Sequence, residues 1–215
     1  MNENQQLEIQ DKRIEQDHII YSLNEKEKTA SVVDNNKARG DIIIPKSIIY
    51  KTKEYIIVNI LQCTFHYSQV KSIRISADSQ LKTIGEYAFS HSEIESITIP
   101  SSLIELKDHW CAGTAELNKI EVDPNNSIYS KYDNNIIIGK SSPETENYDV
   151  IIFCNRNAVN VTIPNFIKRI AAASINRCQK LREINIFDDS ELQIIDNHAF
   201  YKASIETLKI PLHLK

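Results

Sequence analysis

The sequence predicts a mainly β solenoid, with one short strand per repeat of 22–24 residues and the repeats stacked on one another. Three observations carry that prediction. An apolar frame with steps of 3, 5, 5, 3 and 2 residues joins Ile57, Ile60, Phe65, Val70, Ile73 and Ile75, and the same steps join Leu81, Ile84, Phe89, Ile94, Ile97 and Ile99. They recur at Leu192, Ile195, Phe200, Ile205, Leu208 and Ile210, and two more copies, beginning at Leu103 and Ile167, differ by one residue after the third landmark. The closing pair of each copy has period 2, the mark of a short strand with one face packed and one in water. Finally, residues 70–100 and 181–211 align without gaps and share twelve identities of 31, so the pattern is a repeated unit and not a chance spacing.

Residues 1–17 are polar and charged and read as a tail or a marginal helix. The runs Ile19 to Leu23 and Thr29 to Val33 flank the polar segment 24–28, a hairpin pattern placed where a solenoid must cover its first edge, so residues 18–39 are expected to cap the array. Coils follow over 40–122, with eight extra residues around Ile49 to Lys53. Pro45, Pro100, Pro164 and Pro211 each follow a closing strand, where a residue without an N–H stops the ladder and turns the chain. The other apolar positions of a copy suit a loose turn or short 3₁₀ segment along the opposite wall. First residues of the closing pairs lie 24, 23, 41, 23 and 24 apart, so one period carries an insertion of 18 residues. This excursion spans 123–158; Ile136 to Ile138 and Val150 to Phe153 pair as a hairpin around a polar tip, expected to protrude. Coils return over 159–215. No polar cap follows Pro211, which leaves an open strand edge and makes end-to-end self-association a candidate contact.

The repeat, with Ala-Phe at its third landmark (Ala88-Phe89, Ala199-Phe200) and Ile-x-Ile-Pro at its end, resembles the BspA-like class of leucine-rich repeat, known from bacterial surface antigens and expanded in some protists. Pro, Ser, Asp or Phe follows the strand where ordinary leucine-rich repeats carry Asn or Cys. The segment Asp123-Pro124-Asn125-Asn126-Ser127-Ile128-Tyr129-Ser130, followed by Asp133 and the two apolar runs, resembles the excursion of that family. Trp110-Cys111 and Ser174-Ile175 depart from Ala-Phe, and Gly85 is the one glycine in the usual Ile-Gly position. The resemblance covers about residues 18–215. It implies a right-handed leucine-rich-repeat solenoid without catalytic activity or cofactor, recognising a protein or glycan in surface adhesion.

Composition bounds the alternatives. A net charge of −4 argues against nucleic acid as a partner, and four glycines leave no Gly-rich phosphate loop. No apolar run is long enough to span a bilayer, so membrane insertion is not expected. The polar N-terminus is unlike a secretory signal and favours a cytoplasmic scaffold, whereas the family resemblance favours the cell surface. Asn125 and Asn160 match a glycosylation acceptor pattern that matters only outside the cell. Cys63, Cys111, Cys154 and Cys178 lack ligand spacing and read as reduced, buried packing thiols. The six histidines carry no metal spacing; His91 and His198 fall beside the Phe landmark as solvated turn residues, and Trp110 falls in the core.

Alternation along the strands then defines an outward column, Ser72/Arg74, Ser96/Thr98, Lys119/Glu121, Asn160/Thr162, Glu183/Asn185 and Thr207/Lys209, the candidate partner-binding face. Tyr132 and Tyr148 are candidate contacts on the excursion, with Tyr129 expected to pack against the coil edge. A polysaccharide-cleaving β-helix would need carboxylates on neighbouring rungs. Only Glu121 and Glu183 face outward, two rungs apart.

Overall fold

The structure is a computed structural model that describes residues 12–210. It is built from strands and turns, with no helix among those residues. An antiparallel ribbon opens the chain: β1 (Lys12–Gln16), β2 (Ile19–Asn24) and β3 (Thr29–Asn35). Part of the expected polar tail is therefore a strand. Ile14 lies opposite Tyr21 and packs on the core, which is enough to hold a charged segment in the ladder. β3 runs parallel to β6 (Lys53–Ile60), so the ribbon covers the first edge of the array. Between them lie β4 (Arg39–Ile44) and β5 (Ser47–Tyr50), and β5 folds back on β6 to use the extra residues.

The repeats follow as β7 (Gln69–Ile75), β8 (Thr83–Ile84), β9 (Ser96–Ile99), β10 (Glu105–Leu106) and β11 (Lys119–Val122). One wall is the parallel sheet β11-β9-β7-β4. The opposite wall is also a parallel ladder, from β3 through β6 and β8 to β10, where the sequence suggested loose turn or 3₁₀ structure. Its rungs are two residues long because the chain turns immediately after each.

That turn is a stacked arc. In each coil the residues two before and two after the third landmark adopt left-handed backbone: Cys63/Tyr67, Tyr87/His91, His109/Gly113, Ala173/Arg177 and His198/Lys202. Amides of one arc donate to carbonyls of the next, as from Phe65 to Ala88 and from Phe89 to Trp110. Close stacking explains the small residues: a Cβ on Gly85 would lie 2.5 Å from the Gln62 amide nitrogen. It also explains the Asp-Ser echo. The Ser79 and Ser190 hydroxyls accept from the Leu81 and Leu192 amides and hold the chain as it enters the next frame.

The excursion does not protrude. β12 (Tyr129–Lys131), β13 (Ile136–Gly139) and β14 (Val150–Cys154) form an antiparallel sheet, and β14 continues parallel into β16 (Arg169–Ile170) and β18 (Ile194–Ile195). Ile137 and Phe153 join the core of the first coils, while Ile136, Ile138, Ile151 and Cys154 join the core of the last ones. The sheet is a septum with both faces buried. The remaining strands, β15 (Asn160–Ile163), β17 (Glu183–Ile186) and β19 (Thr207–Leu208), make a separate parallel sheet.

Two side chains fasten this interruption. Asn126 is buried; its amide donates to Pro100 O at 2.7 Å and Leu103 O at 3.0 Å, and its oxygen accepts from the amides of Ile128 and Tyr129. The Tyr129 hydroxyl accepts from the Leu106 amide at 2.7 Å, standing in for the missing rung beside β10. Trp110 is in the core as expected, between Phe89 and Phe153. Cys111, Cys154 and Cys178 are buried free thiols, but Cys63 is exposed, because its left-handed backbone turns the side chain off the frame. The last copy is only partly covered: Phe200 and Leu208 are half-buried and Ile210 is 50% exposed, no described coil lying beyond them. Pro211 and the open edge read from the sequence lie outside the described residues.

Two stability measurements follow. Phe89→Ala should cost about 4 kcal/mol in denaturant unfolding, whereas Phe200→Ala at the same frame position should cost no more than about 2 kcal/mol. Asn126→Ala strands two carbonyls and two amides and should cost about 3 kcal/mol, and Asn126→Asp should recover only part of that, because a carboxylate accepts from the two amides but donates to neither carbonyl.

Candidate functional site

All twelve outward residues of the strand column are at least partly exposed, but they do not form one continuous face. Ser72, Ser96 and Lys119 align across β7, β9 and β11, and Thr98 aligns with Glu121. Asn160, Glu183 and Thr207 align across β15, β17 and β19, and Thr162 aligns with Asn185. The septum separates the two groups, so Glu121 and Glu183 stand on different sheets and do not share an acid–base site.

The first half of the face is largely satisfied by itself. Ser72 donates to Asp41 at 2.6 Å. The Thr98 hydroxyl accepts from the Ile75 amide at 2.7 Å, replacing a ladder bond where β7 and β9 diverge. Lys119 pairs with Glu121 at 2.7 Å, and its hydrogen bond and charge hold that carboxyl below the usual carboxylate range. A dent of only about 80 Å³ remains between these side chains and Arg74. Lys209, in the second half, is drawn to Asp188 at 2.9 Å.

The second half opens onto a cleft of about 600 Å³ where coil and septum meet. Thr162, Pro164, Asn165, Phe187 and Asp189 line it from the coils, and Tyr132 and Asp133 from the septum. Tyr132 is 48% exposed and stands edge-on to Phe166, with ring centroids 5.8 Å apart. Phe166 is 38% exposed and Phe187 is 54% exposed. Tyr148 is half-buried against the second core, with Lys140 over its ring, and lines a neighbouring cleft of about 770 Å³ with Phe166 and Lys168. Of the two excursion tyrosines, Tyr132 therefore offers the freer ring. Tyr129 is buried, and burial pushes its hydroxyl up to about 12.

Phe166 and Phe187 are absent from the outward column because neither lies inside a strand. Phe187 had a signal all the same: it follows Ile186 at the position where four other coils carry proline. An apolar ring placed there has no frame position to fill and is left in solvent. Among the described residues no group of three His, Cys, Asp or Glu is arranged to hold a metal ion, and no helix is long and apolar enough to cross a membrane.

Comparison with known proteins agrees with this architecture. The family model for the BspA type leucine rich repeat region matches in six copies over residues 42–136 and 146–215. Among curated proteins none matches the chain in sequence. Of solved structures, the pneumococcal vaccine antigen PcpA is similar at 17% identity and a TM-score of 0.59, over 95% of this chain and 71% of that one. A leucine-rich repeat protein from Eubacterium ventriosum is similar at 16% identity and 0.52, over 87% of this chain and 62% of that one. The leucine-rich repeat protein of T. pallidum follows at 14% and 0.50, over 86% and 82%. At these identities the likeness speaks for the fold, while the family match, which spans well over half of the chain, settles membership: the chain belongs to the BspA-type leucine-rich-repeat family.

Proposed function

We propose that this chain is a non-catalytic binding module whose partner docks on the second half of the strand face and on the ledge formed by the septum. One observation carries the reading. Tyr132 and Phe187 line one cleft with exposed rings, Phe166 stands edge-on to Tyr132, and Thr162, Asn165 and Asp189 lie beside them, whereas the outward column of the first half carries no ring at all. Aromatic anchors gathered at one pocket are the usual make-up of a binding hot spot. Arg74, the one residue of that kind in the first half, sits beside a dent of about 80 Å³, much smaller than the cleft of about 600 Å³ in the second half.

Adhesion at a cell surface is the biological form of this reading that the family and the vaccine-antigen neighbour support. A scaffold within a reducing compartment is the second form, supported by four free cysteines, three of them buried side by side with no disulfide. Labelling of intact source cells that carry an epitope-tagged copy separates the two: protease-sensitive surface signal supports adhesion, and signal seen only after permeabilisation removes it.

The docking site is tested by a photo-crosslinking side chain placed at Phe187 and, for comparison, at Ser96. Adducts should form at position 187 and fall at least tenfold in Tyr132→Ala, which removes a ring worth about 2 kcal/mol at an anchor. Equal yields at the two positions would overturn the assignment.

A further inference from the structure

Six Phe and Tyr rings stand exposed among the described residues, and they fall into two groups. In the first group the chain itself covers the ring with an imidazole or a cation. Tyr67 stacks on His91 with centroids 5.0 Å apart, and Tyr87 stacks on His109 at 5.1 Å. Tyr201 meets His198 edge-on at 5.6 Å and carries the Lys202 ammonium 5.1 Å from its centroid. The half-buried Tyr50 and Tyr148 are treated likewise, by Lys12 and Lys51 and by Lys140. An aromatic face attracts positive charge through its quadrupole, so these are the contacts that such rings favour. Tyr132, Phe166 and Phe187 form the second group. Among the described residues no Lys, Arg or His covers any of the three, and their one ring contact is that of Tyr132 with Phe166.

The same place holds carboxylates without a counter-ion. Asp133 and Asp189 line the cleft of Tyr132 and Phe187, and no Lys or Arg does. Asp133 Oδ1 accepts from the Asn135 and Ile136 amides at 2.7 and 2.8 Å, and Asp189 Oδ2 accepts from the Asn165 side-chain amide at 3.4 Å. The other oxygen of each has no partner among the described residues. Nearby carboxylates are paired: Asp188 takes Lys209 at 2.9 Å, and Glu191 takes Lys168 at 3.7 Å. Phe166 also lines the neighbouring cleft, where Glu146, Asp149 and Glu191 outnumber Lys168. Both sides of that ring therefore present the same sign of charge. Turns hold the two cleft carboxylates in place, since Asp133 caps the chain between β12 and β13 and Asp189 precedes Ser190, whose hydroxyl fixes the exit from β17.

We infer that this cleft takes a positively charged side chain, arginine above all, from a basic segment of a protein partner. The inference rests on the docking reading above and names the chemistry of what docks. A guanidinium lies flat on a ring while its edge forks onto a carboxylate, so it engages both kinds of group that the chain leaves open here. At about 600 Å³ the cleft falls within the range of pockets that receive a group of that size. An acidic segment would meet like charge. A neutral glycan would cover the rings but leave both carboxylates without a counter-ion.

The test uses the full chain and dye-labelled hexa-arginine, with hexa-citrulline, which keeps the planar donor group without the charge, as the neutral counterpart. Binding is followed by fluorescence anisotropy at low salt, where exposed charges are least screened. Asp133→Asn/Asp189→Asn, in which asparagine keeps the oxygen that its neighbours donate to, should weaken hexa-arginine about tenfold. Tyr132→Ala/Phe187→Ala should weaken it about fivefold. Glu27→Gln/Glu54→Gln removes the same charge from exposed sites in the first part of the chain and should change the affinity by no more than about twofold. Hexa-citrulline should bind the unchanged chain about tenfold more weakly than hexa-arginine.

Equal losses in the asparagine and glutamine variants would mean attraction to net charge alone and would overturn the inference. So would hexa-citrulline binding as tightly as hexa-arginine. Cellohexaose displacing the arginine peptide, with its own binding unchanged in Asp133→Asn/Asp189→Asn, would make the cleft a glycan site and overturn it as well. The docking reading fails separately. Position-187 adducts that form undiminished in Asp133→Asn/Asp189→Asn leave the docking site standing and remove the cationic partner, whereas loss of the preference for position 187 removes the docking site itself.

Discussion

A single coil of this chain cannot cover its own apolar edge, and the rest of the structure answers that constraint. Each frame sends its side chains inward from two short walls and a turn, leaving the upper and lower margins of the coil bare. Another coil must lie on each margin. Both walls then become parallel ladders, and the turn must be tight enough to stack as well. The paired left-handed residues make it so. Their backbone carries Cys, Tyr, His, Arg and Lys where glycine would be easier, and several of these side chains stack on their counterparts in the next arc, as Tyr67 does on His91 and Tyr87 on His109. His109 and His198 also meet in a T-shaped contact, with ring centroids 5.7 Å apart.

The same constraint governs the two places where repetition fails. At the N-terminus the first coil receives an antiparallel ribbon whose third strand enters the parallel wall. In the middle the excursion does the same through β14 and closes both cores at once. A sheet buried on both faces can satisfy its backbone only within itself and against the coils. Hence Asn126 meets four backbone partners, the Tyr129 hydroxyl serves an amide, and Arg156 collects carbonyls from both sides.

Much of this was legible in the residues. The frame spacing located each coil, the alternating pairs located the strands of one wall, and the first ribbon and the excursion hairpin stood out as apolar runs around polar turns. The parallel character of the opposite wall was less visible, since a two-residue rung leaves no periodicity to read. The septum had a signal that was passed over. Ile136-Ile137-Ile138 does not alternate, and a continuous apolar run belongs to a strand buried on both faces, not to a protruding hairpin. The strand column was placed correctly as outward, but its chemistry was not, because the bonds of Ser72 to Asp41 and Thr98 to Ile75 depend on register. Phe166 and Phe187 lie in turns, where no alternation says which way a side chain faces. Arg156 could not be read at all: two of its three carbonyls come from residues 42 and 18 positions away, and nothing local marks a charge for burial.

These points bear on how the molecule divides its labour. A continuous solenoid would offer one polar face, uniform from coil to coil and with little to distinguish a partner. Interrupting it at residue 123 produces two short faces, and at the interruption side chains from coil and septum converge on one cleft. The septum that creates this cleft also breaks the stacked arcs on the opposite side, where buried polar side chains must take over the bonding. The proposed binding surface and the buried polar crossing at Arg156 are thus two consequences of one insertion. β14, which leads directly to Arg156, is paired with β13 and so belongs to the same septum whose Tyr132 and Asp133 line the cleft.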